Sequence, residues 1–192
     1  MYKLLSFVLI IGFILMFSAS TYAQEVAKYE LYTGYSFIRM NEFTNYNGAT
    51  AALTRNFTKF FGMVAEVGGF SDSRDDTFIF GDNFFRDTSS SKLFTYMVGP
   101  KFSIRSNSRF TPFGQALVGG YRIRTAFSSQ VNGSVFKSKG SPFSSFASAV
   151  GAGIDVTVNK RVAIRPAQID YLFLRKTDNE SLRISSGVVF KF

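Results

Sequence analysis

The chain has 192 residues, which fits one domain, and it carries a formal net charge of +9. It contains 24 Phe and 9 Tyr but no His, Cys or Trp. Without cysteine there is neither a disulfide framework nor thiolate chemistry, and without histidine the usual near-neutral general base is missing. No metal-ligand spacing or phosphate-binding loop stands out. The sequence therefore predicts no catalytic residue, no cofactor and no metal site.

The N-terminus has the pattern of a secretory signal peptide. Lys3 precedes an apolar run from Phe7 to Phe17, and the segment ends in Thr21-Tyr22-Ala23. The run fits the roughly 7–15 residues of a signal sequence and is shorter than the roughly 20 that a membrane-spanning helix needs. We predict that residues 1–23 are a cleaved signal peptide and that residues 24–192 form the mature domain, with an N-terminal membrane anchor as the alternative.

After the signal peptide the chain alternates with the period of β-strands. In YELYTGYSFIR, which starts at Tyr29, large apolar residues occupy most odd positions and small or polar residues the even positions Glu30, Gly34 and Ser36. LFTYMVGPKFSIR, around Lys101, and SLRISSGVVFKF, which ends at Phe192, repeat this pattern. No convincing helical stripe follows the signal peptide, so the mature domain is predicted to be all-β.

The connections fix the strand number. Three short polar turns lie near Asn56–Lys59, Ser106–Arg109 and Asn159–Arg161, and four longer polar stretches lie at Met40–Asn47, Ser71–Ser91, Thr125–Ser141 and Lys176–Glu180. Seven connections imply eight strands with both termini on the short-turn side. Strands of roughly 9–11 residues with one apolar and one polar face predict an eight-stranded antiparallel up-and-down transmembrane β-barrel.

A soluble β-sandwich or a lipocalin-like barrel is the alternative. An eight-stranded barrel has an interior just wide enough for side chains or one small ligand, so most of the 24 Phe residues would not fit inside. The apolar face is therefore predicted to contact lipid.

Charged residues on the other face are predicted to form a network in the lumen. Successive residues of a strand face opposite sides of the wall, so odd and even positions differ in facing. This parity predicts that the following charged residues point inward: Glu30, Glu66, Lys101, Asp155, Arg183 and Lys191. Arg165 and Asp170 are an odd number of positions apart, and a bulge near Pro166 would bring Arg165, Gln168 and Asp170 to one side. Such a network would plug the lumen, whereas the alternative is a narrow ion-conducting path. The facing of Tyr121, Arg122 and Arg124 stays open, because Gln115 and Arg122 conflict in parity.

Two of the longer connections are candidates for partner binding. DDTFIFGDNFFRD contains a cluster of aromatic and aliphatic residues: Phe78, Ile79, Phe80, Phe84 and Phe85. They would form an exposed hairpin that binds a partner, or fold over the barrel mouth or into an interfacial girdle. In SSQVNGSVFKS, Asn132-Gly133 predicts a hairpin, so strands five and six should continue as a projecting ribbon.

Basic residues follow this ribbon. Arg122, Arg124, Lys137 and Lys139 offer contacts to the phosphates of lipopolysaccharide, with simple solvation as the alternative. The basic residues as a whole form no clustered stripe, so no nucleic-acid partner is predicted.

The strand segments together resemble the eight-stranded outer-membrane barrel domains of bacteria that are called outer membrane protein beta-barrel or porin family, the OmpA/OmpX-like group. This resemblance rests on YELYTGYSFIR, FTYMVGPKFSIR, AVGAGIDVTVNKRVAIRPAQIDYLFLR and LRISSGVVFKF, in this order. It implies a location in the cell outer membrane. It also implies that Val188, Phe190 and Phe192 are the C-terminal signal by which the outer-membrane barrel assembly machinery recognises the chain.

The predicted function is therefore a non-enzymatic one, with a structural or surface-interaction role like that of an adhesin. A narrow porin-like channel is the alternative, and a lipid-modifying enzyme is a distant third. The sequence does not identify an extracellular partner.

Overall fold

The computed structural model describes residues 26–40, 45–80, 83–106, 109–131, 134–175 and 180–192. The predicted signal peptide, residues 1–23, lies outside these ranges and stays a prediction, as does the Asn132-Gly133 tip. Across the described ranges, no helix has the length and apolar character needed to cross a membrane.

The described residues form nine strands, joined in antiparallel pairs. Their bounds are β1 Tyr29–Arg39, β2 Asn45–Asn56, β3 Phe61–Phe80, β4 Asn83–Ser103, β5 Phe110–Val131, β6 Ser134–Lys139, β7 Phe143–Thr157, β8 Val162–Leu174 and β9 Glu180–Lys191.

The sheet closes on itself. β4 pairs with β5 and β1 pairs with β9, so the ring runs through β1, β2, β3, β4, β5, β7, β8 and β9. β6 and β7 pair with successive parts of the same β5 strand and are two segments of one barrel strand. The prediction of an eight-stranded antiparallel up-and-down barrel is confirmed.

The chain ends meet at the closing seam between β1 and β9. The Tyr29 amide donates to the Phe192 carbonyl at 3.1 Å, and the Phe192 amide donates to the Tyr29 carbonyl at 2.9 Å. Both termini of the barrel therefore lie at the same end as the short turns.

Side chains stabilise two of these turns. The Thr58 hydroxyl accepts from the amides of Phe60 and Phe61, and the Asn159 side-chain oxygen accepts from the amides of Arg161 and Val162, both at 2.8 Å. Short Thr and Asn side chains favour such tight turns because they replace missing backbone hydrogen bonds. The predicted positions of these two turns are confirmed.

The opposite end differs from the sequence prediction. Ser71–Ser91 was expected to be a polar loop, with an exposed hairpin at Phe78–Phe85 as one alternative, whereas β3 and β4 stay paired through the whole stretch, from Phe61↔Phe102 to Phe80↔Asn83. β4 also pairs with β5 as far as Phe85↔Val131, and β5 pairs with β6 over its outer part. The stretch contains Phe, Ile and Thr, which are enriched in strands, although its overall polarity is that of a loop.

Four strands therefore extend beyond the barrel rim as one sheet. This projecting sheet consists of residues 72–80, 83–92, 124–131 and 134–139. Nine residues separate Ser71, opposite the last paired residues of β2, from Phe80, which is about 30 Å at about 3.3 Å per residue. The predicted ribbon of strands five and six is one half of this sheet.

The two faces of the wall follow the predicted alternation in part. Tyr35, Phe102, Val118 and Val150 are among the outward residues, each more than half exposed. The expectation that the aromatic residues lie outside is incomplete, because several large apolar side chains point inward and are buried: Tyr32, Phe70, Leu93, Phe113, Leu117, Tyr121 and Leu172.

We expect the closing seam to depend on the backbone of Phe192 more than on its ring. Deleting Phe192 removes two interstrand hydrogen bonds, so the unfolding free energy in detergent should fall by about 2 kcal/mol. Phe192→Ala keeps the backbone pair and is the matched control. Gel mobility of unboiled samples across a urea series measures both, and equal loss in the two variants would contradict this account.

Candidate functional site: the lumen and the projecting sheet

All eight residues of the predicted lumen network lie inside the barrel. Arg183 and Asp170 are fully buried, and the others expose at most 4% of their surface. The full set is Glu30, Glu66, Lys101, Asp155, Arg165, Gln168, Asp170 and Arg183. Lys191, also predicted to face inward, is half-buried and donates to the Thr157 hydroxyl at 3.0 Å.

Glu30 is the centre of the cluster nearest the short turns. Its carboxylate lies 3.2 Å from Lys101 Nζ and 2.8 Å from Arg105 Nη2, and it accepts from the Asn56 side-chain amide at 3.0 Å. Arg105 also donates to the Lys59 carbonyl at 2.6 Å. This cluster ties β1 to the end of β2, to the β2–β3 turn and to the end of β4.

Arg165 links this cluster to the middle of the lumen. Its guanidinium donates two bonds to Asp155, at 2.7 and 3.1 Å, and Asp155 lies 3.8 Å from Lys101 Nζ. The same guanidinium lies over the rings of Tyr32 and Phe113, 4.3 and 4.2 Å from their centroids. A delocalised cation between two aromatic faces is favourable where water is excluded.

The predicted bulge near Pro166 brings Arg165 and Gln168 to the same face. Arg165 pairs with Gly187 and Gln168 with Ser185, so two residues of β8 stand opposite one residue of β9. Pro166 and Ala167 both face outward. Since proline cannot donate to a sheet hydrogen bond, the bulge occurs where the ladder is already weakened. This prediction is confirmed.

Asp170 is the centre of the second cluster. It accepts from Gln168 at 2.8 Å, from Gln115 at 3.1 Å and from Arg183 at 2.9 and 3.0 Å. Its carboxylate lies over Gly151, where an added Cβ would come within 2.0 Å of Asp170 Oδ1. Glycine at that position therefore makes room for the buried carboxylate.

Several of these contacts cross the lumen. Arg183 on β9 lies 2.6 Å from Glu66 on β3, although β1 and β2 separate the two strands in the wall. Gln115 on β5 reaches Asp170 on β8 across the intervening β7. The paired groups are four carboxylates and four cations, so the network is neutral. Because each ion has a partner, the desolvation cost of burying it is offset.

An apolar layer that the sequence analysis did not predict closes the lumen towards the projecting sheet. It consists of buried residues near the far ends of the strands: Ile38, Met40, Tyr46, Phe70, Leu93, Tyr121, Leu172 and Leu174. The Tyr121 hydroxyl donates to the Arg175 carbonyl at 2.7 Å, and the Tyr46 hydroxyl is hydrogen-bonded to Ser91 at 2.9 Å. The polar network and this layer follow one another along the barrel axis.

Sequence reasoning also missed four partners in the network: Arg105, Gln115, Tyr32 and Phe113. Arg105 and Tyr32 share the parity of Lys101 and Glu30, so extending the parity argument to every inward position would have found them. The sequence leaves the facing of Gln115 open, because its parity conflicts with that of Arg122. The structure resolves that conflict, since β5 is regular, Gln115 is buried and Arg122 and Arg124 face outward.

The other predicted residues lie away from the lumen. The backbones of Phe78 and Ile79 pair with those of Phe85 and Phe84, and Phe80 pairs with Asn83, at the far end of β3 and β4. Val188, Phe190 and Phe192 lie on the outward side of the seam, with Phe190 39% and Phe192 70% exposed.

Comparison with solved structures identifies the class of fold. Ail, the attachment invasion locus protein of Yersinia pestis, is similar with a TM-score of 0.54 and 18% identity over 85% of this chain and 96% of that chain. The same protein with the heparin analogue sucrose octasulfate gives a TM-score of 0.57 at the same identity and coverage. The outer membrane protein OprG from Pseudomonas aeruginosa gives 0.54 and 11% identity over 88% and 97%.

These similarities and the closed eight-stranded barrel identify the fold of an outer-membrane β-barrel protein. No family model matches the chain, and a search of curated proteins found no match.

We expect Arg183 to be the most sensitive ion of the lumen. Arg183→Met leaves Glu66 and Asp170 without their shared cation, so the unfolding free energy should fall by about 3–5 kcal/mol. Arg124→Met, on the outer face, is the matched control and should change it by less than about 0.5 kcal/mol. Urea unfolding followed by tyrosine fluorescence provides the comparison, and a small effect of Arg183→Met would show that the network does not stabilise the barrel.

Proposed function

We propose that this protein is a non-enzymatic barrel of the outer membrane that acts at the cell surface through its projecting sheet. The observation that carries the proposal is that β3 and β4 stay paired for about 30 Å beyond a filled lumen, with shorter paired stretches of β5 and β6 beside them. A sheet of this length is not needed to close the barrel. The role of this sheet therefore lies outside the membrane.

The outer wall supports the membrane location. On β4 the outward residues from Phe102 to Phe94 are apolar, and the next outward residue is Lys92. Phe102 and Lys92 are ten residues apart, which is about 25 Å along the axis for strands tilted by about 40°. An apolar band about 25 Å tall is typical of outer-membrane barrels.

The contents of the lumen support a role without conduction or catalysis. The four interior carboxylates each contact a cation, and eight apolar side chains lie in series with them. Ions that are already paired across the lumen offer no continuous file of water, and carboxylates held by Arg or Lys are poor general bases.

The projecting sheet offers two means of binding. β6 has no strand on its other side among the described residues, and neither does β3 beyond Ser71, so both present unpaired backbone groups. Phe127 and Phe136 are 53% and 66% exposed on this sheet. Free edges bind extended segments by β-augmentation, and exposed aromatic rings add affinity. Ail is named for attachment and invasion, which is consistent with a surface-interaction role for this fold.

The seam residues Val188, Phe190 and Phe192 support a second partner. Their outward alternation at the end of the last strand suits recognition by the barrel assembly machinery, before β9 pairs with β1. We infer this assembly role in addition to the surface role.

We expect no discrete conductance steps when the folded protein is inserted into planar lipid bilayers, because the network and the apolar layer both fill the lumen. Gel mobility of unboiled protein verifies the folded state of each sample. Reproducible steps that disappear after boiling would instead support the narrow channel.

We expect attachment to depend on the projecting sheet. Replacing residues 73–90 by Asn-Gly joins Asp72 to Ser91, which already face each other, and should leave a closed barrel with its gel mobility shift. Cells that display this variant should lose adhesion to surfaces coated with extracellular-matrix protein or sulfated glycan. Cells displaying equal amounts of the full chain are the control, and equal adhesion by both would contradict the surface role.

A further inference from the structure

A cluster of basic side chains lies on the outer face where the projecting sheet leaves the barrel. Lys92 on β4 is directly opposite Arg124 on β5, and Arg122, the next residue on the same face of β5, is opposite Phe94. All three cations are exposed, and none of them makes an ion pair with a described residue. We define Lys92, Arg122 and Arg124 as the basic rim.

The three cations of the basic rim repel one another unless an anion is bound. Like charges directly opposite each other in an antiparallel pair are destabilising. In the rows of Lys92 and Arg122, the outer-face positions of β3, β4 and β5 carry no acidic residue that could compensate them, and the nearest acidic position on this face of β3 is Asp75, opposite Thr88 and two rows above Lys92. The rim is therefore a surface that gains from a bound anion.

The height of the rim limits the kind of anion. From the barrel towards the projecting sheet, Phe94 is the last apolar outward residue of β4 and Lys92 is the next outward residue. Lys92 therefore lies at the edge of the lipid-facing band. At that height the neighbouring groups are lipid head groups, and a guanidinium binds phosphate with two parallel hydrogen bonds. A membrane phosphate fits both the charge and the position.

The cations continue above the head-group level. Lys139 pairs with Ala126 and Lys137 with Ser128, which place them one and two rows above Arg124 on the same face. Each row adds about 7 Å along the strand, so the column of charge rises about 14 Å above the rim. A phospholipid carries its phosphate in one plane, whereas a phosphorylated glycolipid also carries anionic groups farther out.

We propose that the basic rim and the two lysines above it bind the phosphates of a phosphorylated glycolipid of the lipopolysaccharide type in the outer leaflet. The inference rests on the proposed outer-membrane location and adds a ligand to it. Bound lipid would occupy the outer face of the projecting sheet and leave its two edges open to a protein partner.

The test is titration of fluorescent lipopolysaccharide onto the refolded full mature chain in zwitterionic detergent. The variant is Lys92→Gln/Arg122→Gln/Arg124→Gln. The matched control is Lys28→Gln/Lys160→Gln/Arg161→Gln, which removes three exposed cations from the opposite end of the barrel. Gel mobility of unboiled samples verifies that all three proteins are closed barrels.

We expect the rim variant to bind about a hundredfold more weakly and the control to bind as the unaltered chain does. Lipopolysaccharide stripped of its phosphates, and phosphatidylglycerol, should both bind the unaltered chain weakly. Equal binding by the rim variant, equal loss in the control, or equally tight binding of phosphatidylglycerol would each overturn the proposal. Insertion into bilayers is measured separately. If the chain inserts into bilayers but binds lipopolysaccharide equally well with and without phosphates, this inference alone is overturned. If the chain does not insert, the proposed function is overturned as well.

Discussion

The constraint on which the rest of the structure depends is that backbone amides and carbonyls have no partner in lipid. A sheet satisfies them only by closing, and here closure is completed where Tyr29 and Phe192 exchange hydrogen bonds. Once the sheet is closed, every second side chain must point into a lumen that is narrow for eight strands. The outward residues must then be apolar because they contact lipid, and the inward residues have to fill a lumen of fixed size.

Two kinds of side chain, charged and apolar, fill the lumen. Charged side chains are long enough to meet across the lumen, as Arg183 and Glu66 do between β9 and β3, and their pairing offsets the loss of water. Apolar side chains such as Leu93 and Leu172 close the end near the projecting sheet. Arg165 joins the two kinds of contact, since it pairs with Asp155 while two aromatic rings cover its guanidinium.

Much of this was predictable from the sequence, because the period of a strand fixes the side of the wall on which a residue lies. The alternation of inward and outward positions predicted that Glu30, Lys101 and Arg183 face the lumen. The odd number of positions between Arg165 and Asp170 predicted the bulge near Pro166. Parity alone does not say which inward residues touch, so the contact of Gln115 with Asp170 needed the three-dimensional ring.

Polarity was the less reliable guide. The apolar layer was not predicted, because its members, such as Ile38 and Leu93, are apolar residues on a face that the sequence predicts to be polar. The stretch Ser71–Ser91 was predicted as a loop because it is polar. Strand pairing outside a membrane tolerates such residues, since water can solvate both faces.

The projecting sheet follows different rules from the barrel below it. Above the rim, water can hydrogen-bond free edges, so β3 and β6 need no further partner to be stable. A free edge nevertheless promotes unwanted pairing, and lysine on an edge strand opposes it, as Lys137 and Lys139 do on β6. The same two lysines extend the charge of the basic rim. The region in which closure is no longer required is thus the region in which the chain has its unpaired backbone together with the basic rim, and these two features are the basis of the surface role proposed above.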